Sequence, residues 1–406
     1  MTDTIAPEEF FEYVLRPEGR ADPYPFYARL RSLDPVHRIP MGSAWLLSTY
    51  GHVADVLRDA RFSTDERHST GYVGNAEDSS FGRIYRSMLL FQDEPDHKRL
   101  RDLVQKAFTR RVVEDLRPRV NRLVEGLVDD LIEKAGGDLM AEFAYPLPVV
   151  VICELLGVPI EDHPFFHEWA RHLANRLELQ PLRTPETEAL GEEATRRLVD
   201  YFDDLIDRKK RRPDDGLISS LASVEDDGDR LTHDEVLATC ILLLIAGHET
   251  TANLIGNGVV ALMGQRDEWS RLTGDPGLAR PAVEEMLRFD PPVQIIARIA
   301  LEDVVVGDRE VSAGSFCGLL LGSANRDEGR FEDPDRFAIG REEAPLVAFG
   351  GGIHFCLGAP LARLEAQMAV RELASRVPGL QIAGEPERRP SFLIRGFQTL
   401  PVSVGA

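Results

Sequence analysis

Helical periodicity dominates the pattern of apolar and polar positions along the chain, and short alternating stretches interrupt it. The longest helical pattern opens with Thr232 and Glu235, which form a capping-box pair, and continues without proline for roughly 33 residues, about 50 Å of helix. Strand patterns occur at PVHRI, AWLLSTY, IIARIA, DVVVGD and FCGLLL. The pattern therefore predicts a mainly α-helical fold with a small β-sheet.

The composition is that of a globular protein. The chain has 406 residues, of which 43% are hydrophobic and 28% are charged. Because no linker, repeat or low-complexity tract divides it, we predict one domain over residues 1–406. The formal net charge of -21 disfavours a nucleic-acid partner, whose phosphates require a basic surface.

Two features of the hydropathy pattern bear on cellular location. The N-terminal segment MTDTIAPEEFFEYVL has no basic, apolar leader, and the longest apolar run, CILLLIAG, is too short to span a bilayer. We therefore expect a cytoplasmic protein without a membrane partner, and we expect a monomer.

The cysteines divide into two groups. Their wide spacing excludes CxxC and zinc patterns, and a reducing compartment disfavours disulfides. Those in apolar segments are predicted to be small buried residues: Cys153, Cys240 and Cys317. Cys356 differs, because it lies in FGGGIHFCLGAPLARLE, between a glycine-rich loop and a helical pattern.

The position of Cys356 favours a ligand or a reactive thiol. Near a helix N-terminus, the helix dipole and the free N–H groups stabilise a thiolate. A nucleotide-binding glycine loop is disfavoured, because GxGxxGK[ST] is absent and no Rossmann acidic residue follows a strand. The residues alone leave a redox or catalytic thiol open.

The loop resembles the cysteine-ligand loop of the cytochrome P450 haem-thiolate monooxygenases. Further motifs follow the order of that family across residues 97 to 363. The resemblance implies an α-rich triangular prism with minor β-sheet, in which haem b lies between a long distal helix and the cysteine loop, and it implies that Cys356 ligates the iron. The matching positions are Phe349, Gly350, Gly352, His354, Cys356 and Gly358.

The motif AGHETT lies within the long helical pattern. Gly247 in a helix interior costs up to about 1 kcal/mol relative to alanine, so the chain must gain something there. Small Ala246 and Gly247 are expected to leave space beside the helix, while Glu249 and Thr250 carry groups that can relay a proton. The resemblance implies the distal oxygen-binding groove, where the helix is kinked and the threonine supports protonation of dioxygen.

Two further residues of this motif are ambiguous. Thr251 could replace Thr250 if the helix bulges, and the residues alone do not decide between them. His248 points roughly away from the face shared by Ala246 and Thr250, so it is expected to serve packing or to lie at the surface.

The resemblance also implies donors for the two haem propionates. They are His97, Arg101, Arg298 and His354. His97 and Arg101 are four residues apart and would share one helical face. Histidine and arginine suit carboxylate binding, arginine with a bidentate fork.

A third motif contains Glu285 and Arg288. On a surface this i, i+3 pair would contribute only a few tenths of a kcal/mol. The resemblance implies that the pair is buried, that Arg336 of the segment DPDRF joins it, and that the three residues form the haem-bearing face.

The resemblance implies insertion of one oxygen atom from O2 into a lipophilic small molecule, as hydroxylation or epoxidation. A thiolate ligand favours O–O cleavage. Because no NAD(P)H, flavin or ferredoxin fingerprint is present, electrons are expected from a ferredoxin or flavodoxin with its NAD(P)H reductase. Candidates for its docking are the basic positions Lys98, Arg99, Arg101, Lys106, Arg110 and Arg111. Alternatives are a peroxide-driven peroxygenase and a haem-binding sensor without turnover.

The sequence predicts an apolar substrate pocket with scattered polar groups such as Gln294. A polyketide or macrolide is the expected class, and fatty acids, steroids and terpenes stay open. The expected walls are residues 67–90, 167–190, 293–296 and 392–397 with Leu242, Leu243 and Ala246.

Overall fold

The computed structural model describes residues 4–39, 43–71, 79–214, 216–223, 225–226, 229–341 and 345–405. Helices dominate this part of the chain, as the sequence predicts. They are α1 (Glu9–Leu15), α2 (Pro17–Ala21), α3 (Tyr24–Leu33), α4 (Tyr50–Val56), α5 (Ser80–Ser87), α6 (Asp96–Val104), α7 (Arg110–Glu133), α8 (Pro146–Leu156), α9 (His163–Arg176), α10 (Pro185–Arg211), α11 (Leu217–Ser223), α12 (His233–Gly264), α13 (Arg266–Gly274), α14 (Ala279–Phe289), α15 (Leu321–Ala324) and α16 (Ala359–Arg376).

The strands are short, and each of the five predicted strand patterns contains one. They are β1 (Val36–Ile39), β2 (Ala44–Leu47), β3 (Phe62–Ser63), β4 (Gly136–Asp138), β5 (Glu225–Asp226), β6 (Asp229–Arg230), β7 (Ile295–Ala300), β8 (Val304–Val306), β9 (Arg309–Val311), β10 (Phe316–Leu320), β11 (Gln381–Ile382), β12 (Glu387–Arg388), β13 (Phe397–Thr399) and β14 (Pro401–Ser403). The largest sheet has the order β1-β2-β10-β7-β3. In it β10 runs parallel to β2 and antiparallel to β7.

Helix α12 is the central element of the helical part. The capping box is confirmed: the Thr232 side chain accepts from the Glu235 N–H, and the Glu235 carboxylate accepts from the Thr232 N–H at 2.7 Å. The helix then runs for 32 residues and packs against α5, α8, α9, α10, α14 and α16. The largest apolar core surrounds it, so its position is fixed from all sides.

By length and composition α12 could cross a bilayer, and it is the one helix among the described residues for which this holds. However, 72% of its most apolar window is buried inside the protein. That burial is what a core helix requires, because its apolar surface is already covered by neighbouring elements.

Candidate active site

The loop before α16 holds Cys356 in a defined backbone conformation. Gly350 has φ +70° and Gly352 has φ +63°, a region that favours glycine. A Cβ on Gly352 would lie 2.4 Å from the Leu57 carbonyl oxygen, so this position has no room for a side chain. The Cys356 N–H donates to the Phe349 carbonyl at 3.0 Å and closes the loop.

Two opposing effects act on the thiol of Cys356. Burial is the larger and raises its pKa, whereas the backbone N–H groups of Gly358 and Ala359, at the start of α16, lower it. Arg101 and Arg363 lower it further. The helix terminus therefore acts in the predicted direction, but in the protein alone it does not outweigh burial. A bound cation would supply the remaining stabilisation of the thiolate.

The four predicted propionate donors lie together beside this loop. The rings of His97 and His354 have centroids 4.1 Å apart, and Arg101 and Arg298 act electrostatically on both rings. Arg101 also donates to the Phe355 carbonyl at 2.8 Å, which joins α6 to the cysteine loop. Three elements of distant sequence thus place their donors in one cluster.

The positive charge of the arginines in this donor cluster is not balanced by a neighbouring carboxylate of the described residues. Burial lowers the pKa of Arg298 to about 10, of His97 to about 4 and of His354 to about 3. In the part of the chain that the structure describes, no carboxylate pairs with Arg101 or Arg298 within 4.0 Å, and the buried Nε2 of His97 has no partner. Such a cluster fits a ligand that brings two carboxylates, as haem does.

A solvent-accessible stripe interrupts the burial of α12. Residues 236–241 and 251–259 are buried, but Ala246 is exposed in the middle of the helix, and Leu242, Leu243 and Thr250 are partly accessible. Positions four apart share one helix face. Because packed elements surround α12, the stripe borders an internal space. Helix α16, which begins three residues after Cys356, packs against the same helix.

Gly247 serves a purpose that differs from the sequence expectation. A Cβ at this position would lie 3.3 Å from Cδ1 of Ile152, so the missing side chain lets α8 pack closely against α12. The open space beside the helix lies at Ala246, one residue earlier. Gly247 therefore contributes to the groove by positioning α12 and not by leaving a gap.

Thr250 and Thr251 have distinct environments. Thr250 is partly accessible, and its hydroxyl donates to the Ala246 carbonyl at 2.6 Å. Thr251 is 2% exposed and lies on the buried side. The α-helix continues through both residues without a bulge, so the accessible hydroxyl of this motif is that of Thr250.

Glu249 is completely buried and forms an ion pair with Arg389, which follows β12. Burial favours its neutral acid, but the guanidinium of Arg389 and then the ring of His248 outweigh burial, so the pKa of Glu249 lies below its usual value. Arg389 also donates to Asn175 at 3.3 Å. The other carboxylate oxygen, Oε1, is buried without a partner.

His248 is fully buried, which confirms the packing alternative over the surface alternative. Its Nε2 lies 3.2 Å from Nδ1 of His167 on α9. Burial lowers the pKa of His248 to about 4, so the ring is neutral at neutral pH.

The pair of Glu285 and Arg288 is buried, as the resemblance implies, with two contacts of 2.8 Å. The expectation for Arg336 is wrong. Its side chain is exposed, and it offers its backbone carbonyl to Arg288 at 3.1 Å. Arg341 supplies the additional guanidinium, 3.4 Å from Glu285. The reason is the turn after Asp333, which directs the carbonyl groups of this segment towards Arg288.

One predicted pocket wall is also corrected. Gln294 is 1% exposed and is held in the core, where it donates to the Pro291 carbonyl at 2.7 Å and accepts from the Tyr27 hydroxyl at 3.2 Å. It therefore does not face a ligand. Within the predicted wall at 67–90, residues 72–78 lie outside the described part.

Sequence reasoning missed two arginines, Arg389 and Arg341. Each lies in a run of charged residues, ERRP and GREE, that is typical of a solvated surface. Their partners are 140 and 56 residues away in the chain, so no local spacing indicates the contacts. The only available signal was that Glu249, on an otherwise apolar helix, requires a cation when it is buried.

Comparison with known proteins agrees with this geometry. The family model for Cytochrome P450 matches residues 34–273 and 278–376. A Vitamin D(3) 25-hydroxylase of Pseudonocardia autotrophica is 43% identical over 391 residues, which cover 95% of this chain and 94% of that protein.

Two solved structures are similar over nearly the whole chain. P450BioI, in complex with an acyl carrier protein ligated to hexadec-9Z-enoic acid, has a TM-score of 0.89 and 37% identity, and covers 95% of this chain and 98% of its own. The cytochrome P450 PksS of the bacillaene polyketide synthase of Bacillus subtilis has a TM-score of 0.88 and 34% identity, with 97% and 99% covered.

Proposed function

Because the chain belongs to the cytochrome P450 family, a family of haem b monooxygenases, we propose that Cys356 ligates the haem iron and that the accessible face of α12 forms the oxygen side of the site. The observation that carries this proposal is the loop that closes through Cys356 and Phe349 beside a cluster of two histidines and two arginines, in which the buried Nε2 of His97 has no partner. When bound, the haem supplies the oxidation chemistry, which a thiolate ligand directs towards O–O cleavage.

Four residues hold the carboxylates of the haem. His97, Arg101, Arg298 and His354 share one cluster, and the carboxylates would relieve both the orphaned His97 Nε2 and the excess positive charge. Phe349, Gly350 and Gly358 shape the loop, which orients the thiol and keeps its N–H donors in place. Arg363 lies 4.5 Å over the Phe349 ring and stabilises the loop from α16.

Glu249 and Thr250 deliver protons. Thr250 places its hydroxyl on the accessible stripe next to Ala246, whose small side chain leaves room for dioxygen. Glu249 is ionised in the resting protein because Arg389 holds it, and it can therefore accept a proton before it passes one on. The two residues are neighbours on one helix, so a single element positions the acid and the alcohol.

Removal of either group is expected to uncouple oxygen consumption from product formation. In Glu249→Gln and Thr250→Ala, product formation should fall by about 10²-fold, the scale of a lost proton-transfer group, while NAD(P)H oxidation continues and peroxide accumulates. Product and peroxide are measured per NAD(P)H consumed. Thr251→Ala is the matched control and should retain coupling. Unchanged coupling in both site variants would contradict the proton-delivery role.

The electrons come from a separate ferredoxin or flavodoxin and its NAD(P)H reductase, in the cytoplasm. Two observations support this proposal. The exposed residues Lys98, Lys106, Arg110 and Arg111 form a basic region next to Arg101, which contacts the cysteine loop. Ile353 and Phe355, in that loop, are 48% and 41% exposed and offer apolar contact. Such a surface suits an acidic carrier protein.

The substrate is a lipophilic small molecule, and a polyketide or macrolide is the class that we propose. Leu242 and Leu243 give the accessible stripe an apolar character. The names of two similar proteins, a vitamin D(3) hydroxylase and a cytochrome P450 of a polyketide synthase, agree with large apolar substrates.

The first experiment is an absorbance titration of the ferric protein with macrolactones, fatty acids, steroids and terpenes. A saturable shift to high spin with macrolactones would support the proposed class, and a shift only with another class would replace it. If the protein holds haem but no compound shifts it, the free polyketide proposal fails, and carrier-bound substrates are tested next.

A further inference from the structure

His167 and His248 connect the surface of α9 with the interior of α12. Their nitrogens Nδ1 and Nε2 are 3.2 Å apart, and their rings meet edge to face with centroids 5.3 Å apart. His167 is partly accessible and His248 is 0% exposed. The pair is therefore a hydrogen-bonded path that begins near solvent and ends inside the core.

Tyr145 packs beside both rings. The ring centroid of Tyr145 lies 4.7 Å from that of His167 and 5.7 Å from that of His248. Its hydroxyl donates to the Phe397 carbonyl at 3.2 Å and lies 3.5 Å from Nη1 of Arg389. Burial raises the pKa of Tyr145 to about 12, so the phenol stays protonated and acts as a support for the rings.

The surroundings of the pair disfavour an extra proton on either ring, so a proton that enters is passed on. Burial is the largest influence on both histidines and lowers both pKa values, while the carboxylate of Glu249 raises them. Arg389 lowers both again, and Arg171 and Glu168 of α9 act on His167 in opposite directions. A neutral imidazole carries one N–H and one free nitrogen, so it can accept a proton on one side and release one on the other.

At the inner end of the path, two buried polar atoms have no hydrogen-bond partner. Nδ1 of His248 and Oε1 of Glu249 are both buried without a partner. If His248 accepts the hydrogen bond from His167 at Nε2, its own proton resides on Nδ1. Since neither atom has a partner, the two do not bond each other directly, and one buried water between them would accept from this N–H and donate to the ionised carboxylate. Buried unsatisfied groups call for such an explanation.

We propose that His167 and His248 form a proton route from solvent to Glu249. A proton binds Nε2 of His167, the proton on Nδ1 of His167 passes to Nε2 of His248, and the proton on Nδ1 of His248 passes through the bridging water to Oε1 of Glu249. Each passage moves one proton inwards and leaves both rings with their proton on Nε2, so both rings must turn before the next passage to present a proton at the Nδ1 position again. Two passages supply the two protons that accompany two electrons for each O2 reduced. This route rests on the proposed function of Glu249, and it assigns His248 a role beyond packing.

The variants His167→Gln and His248→Gln keep a polar side chain but remove proton exchange. The matched control is His172→Gln, which changes another histidine of α9, one that lies 3.6 Å from Glu168 and outside the pair. The holoenzyme is assayed with a plant-type ferredoxin, its NADPH reductase and the panel compound that shifts the haem most. We expect both site variants to produce several-fold more peroxide per NADPH and to show a solvent deuterium isotope effect at least twofold larger than the native protein. The control should match the native protein.

Two further measurements separate proton transfer from damage to the fold. With hydrogen peroxide in place of O2 and electrons, both protons arrive with the oxidant, so the site variants should retain native turnover. In the ferrous carbonyl form with isotope-labelled histidine, NMR should show the Nδ1–H tautomer of His248, and Glu249→Gln should shift that resonance. The Nε2–H tautomer would overturn the route.

Glu249→Gln distinguishes failure of this inference from failure of the proposed function. If Glu249→Gln uncouples the enzyme but both histidine variants remain coupled, the route is wrong and the role of Glu249 stands. If Glu249→Gln itself remains coupled, the role of Glu249 fails and the route fails with it. Uncoupling by Glu249→Gln and by both histidine variants, with native peroxide-driven turnover, is the expected result.

Discussion

Replacement of Cys356 by serine is expected to abolish monooxygenase turnover and to remove the long-wavelength Soret band of the ferrous carbonyl form. The N–H groups of Gly358 and Ala359 and the closing bond to Phe349 place this sulfur beside the donor cluster, whereas burial raises the pKa of each of the other three cysteines to about 12. A serine hydroxyl fits the same space but does not provide the electron-rich thiolate that favours O–O cleavage. Absorbance of the reduced, carbonylated protein and product formation are the two measurements.

The matched control is Cys153→Ala. This cysteine is 0% exposed in α8, and burial raises its pKa to about 12, so it is a neutral packing residue. We expect a loss of about 1 kcal/mol in the free energy of unfolding and an unchanged spectrum. A Cys356→Ser protein that keeps the long-wavelength band would show that another residue ligates the iron. Native Soret spectra without NAD(P)H consumption under any condition would favour a haem sensor.

Features that depend on neighbouring residues were predictable from the sequence. The capping box at Thr232 and Glu235 is a local pattern, so the start of α12 was predicted correctly. Five of the strands were also predicted, because side-chain alternation over a few residues reports the environment of a strand directly. The cysteine loop is a third example, since its glycine positions record backbone angles that other residues rarely adopt.

Features that depend on long-range partners were not predictable. The choice of Arg341 over Arg336 depends on the direction of a turn, and the two residues have the same side chain. Gln294 lies on a predicted pocket strand, but hydrogen bonds to Pro291 and to the distant Tyr27 turn it towards the core. His248 finds its partner 81 residues away, on α9. The order of residues along the chain does not show where these side chains point.

The second large effect is expected for Arg389→Met, which removes the partner of the buried Glu249 carboxylate. The side chains of the pair are 5% and 0% exposed, so water cannot replace the guanidinium. Loss of one member of a buried pair leaves an uncompensated charge and costs about 3–5 kcal/mol in the free energy of unfolding. Urea unfolding of the holoenzyme measures this loss. The control is Arg117→Met, which breaks an exposed pair with Glu114 on α7 and should leave the midpoint of urea unfolding unchanged.

The pH dependence of this loss identifies its cause. In the native protein the folded pKa of Glu249 lies below its usual value of 4.5, so its ionisation stabilises the fold above pH 4.5, and this contribution is lost as the pH falls through the folded pKa. Without Arg389, burial, the largest influence on this carboxyl, is opposed mainly by His248, whose ring is neutral at neutral pH, and so it raises the pKa of Glu249. The sign is then reversed: the variant should lose less stability, relative to the native protein, at mildly acid pH than at neutral pH. Glu249→Gln/Arg389→Met carries no buried charge, so it should recover most of the stability and show no such pH dependence. A double variant no more stable than Arg389→Met would mean that the guanidinium stabilises the fold through Asn175 and Tyr145 and not through Glu249.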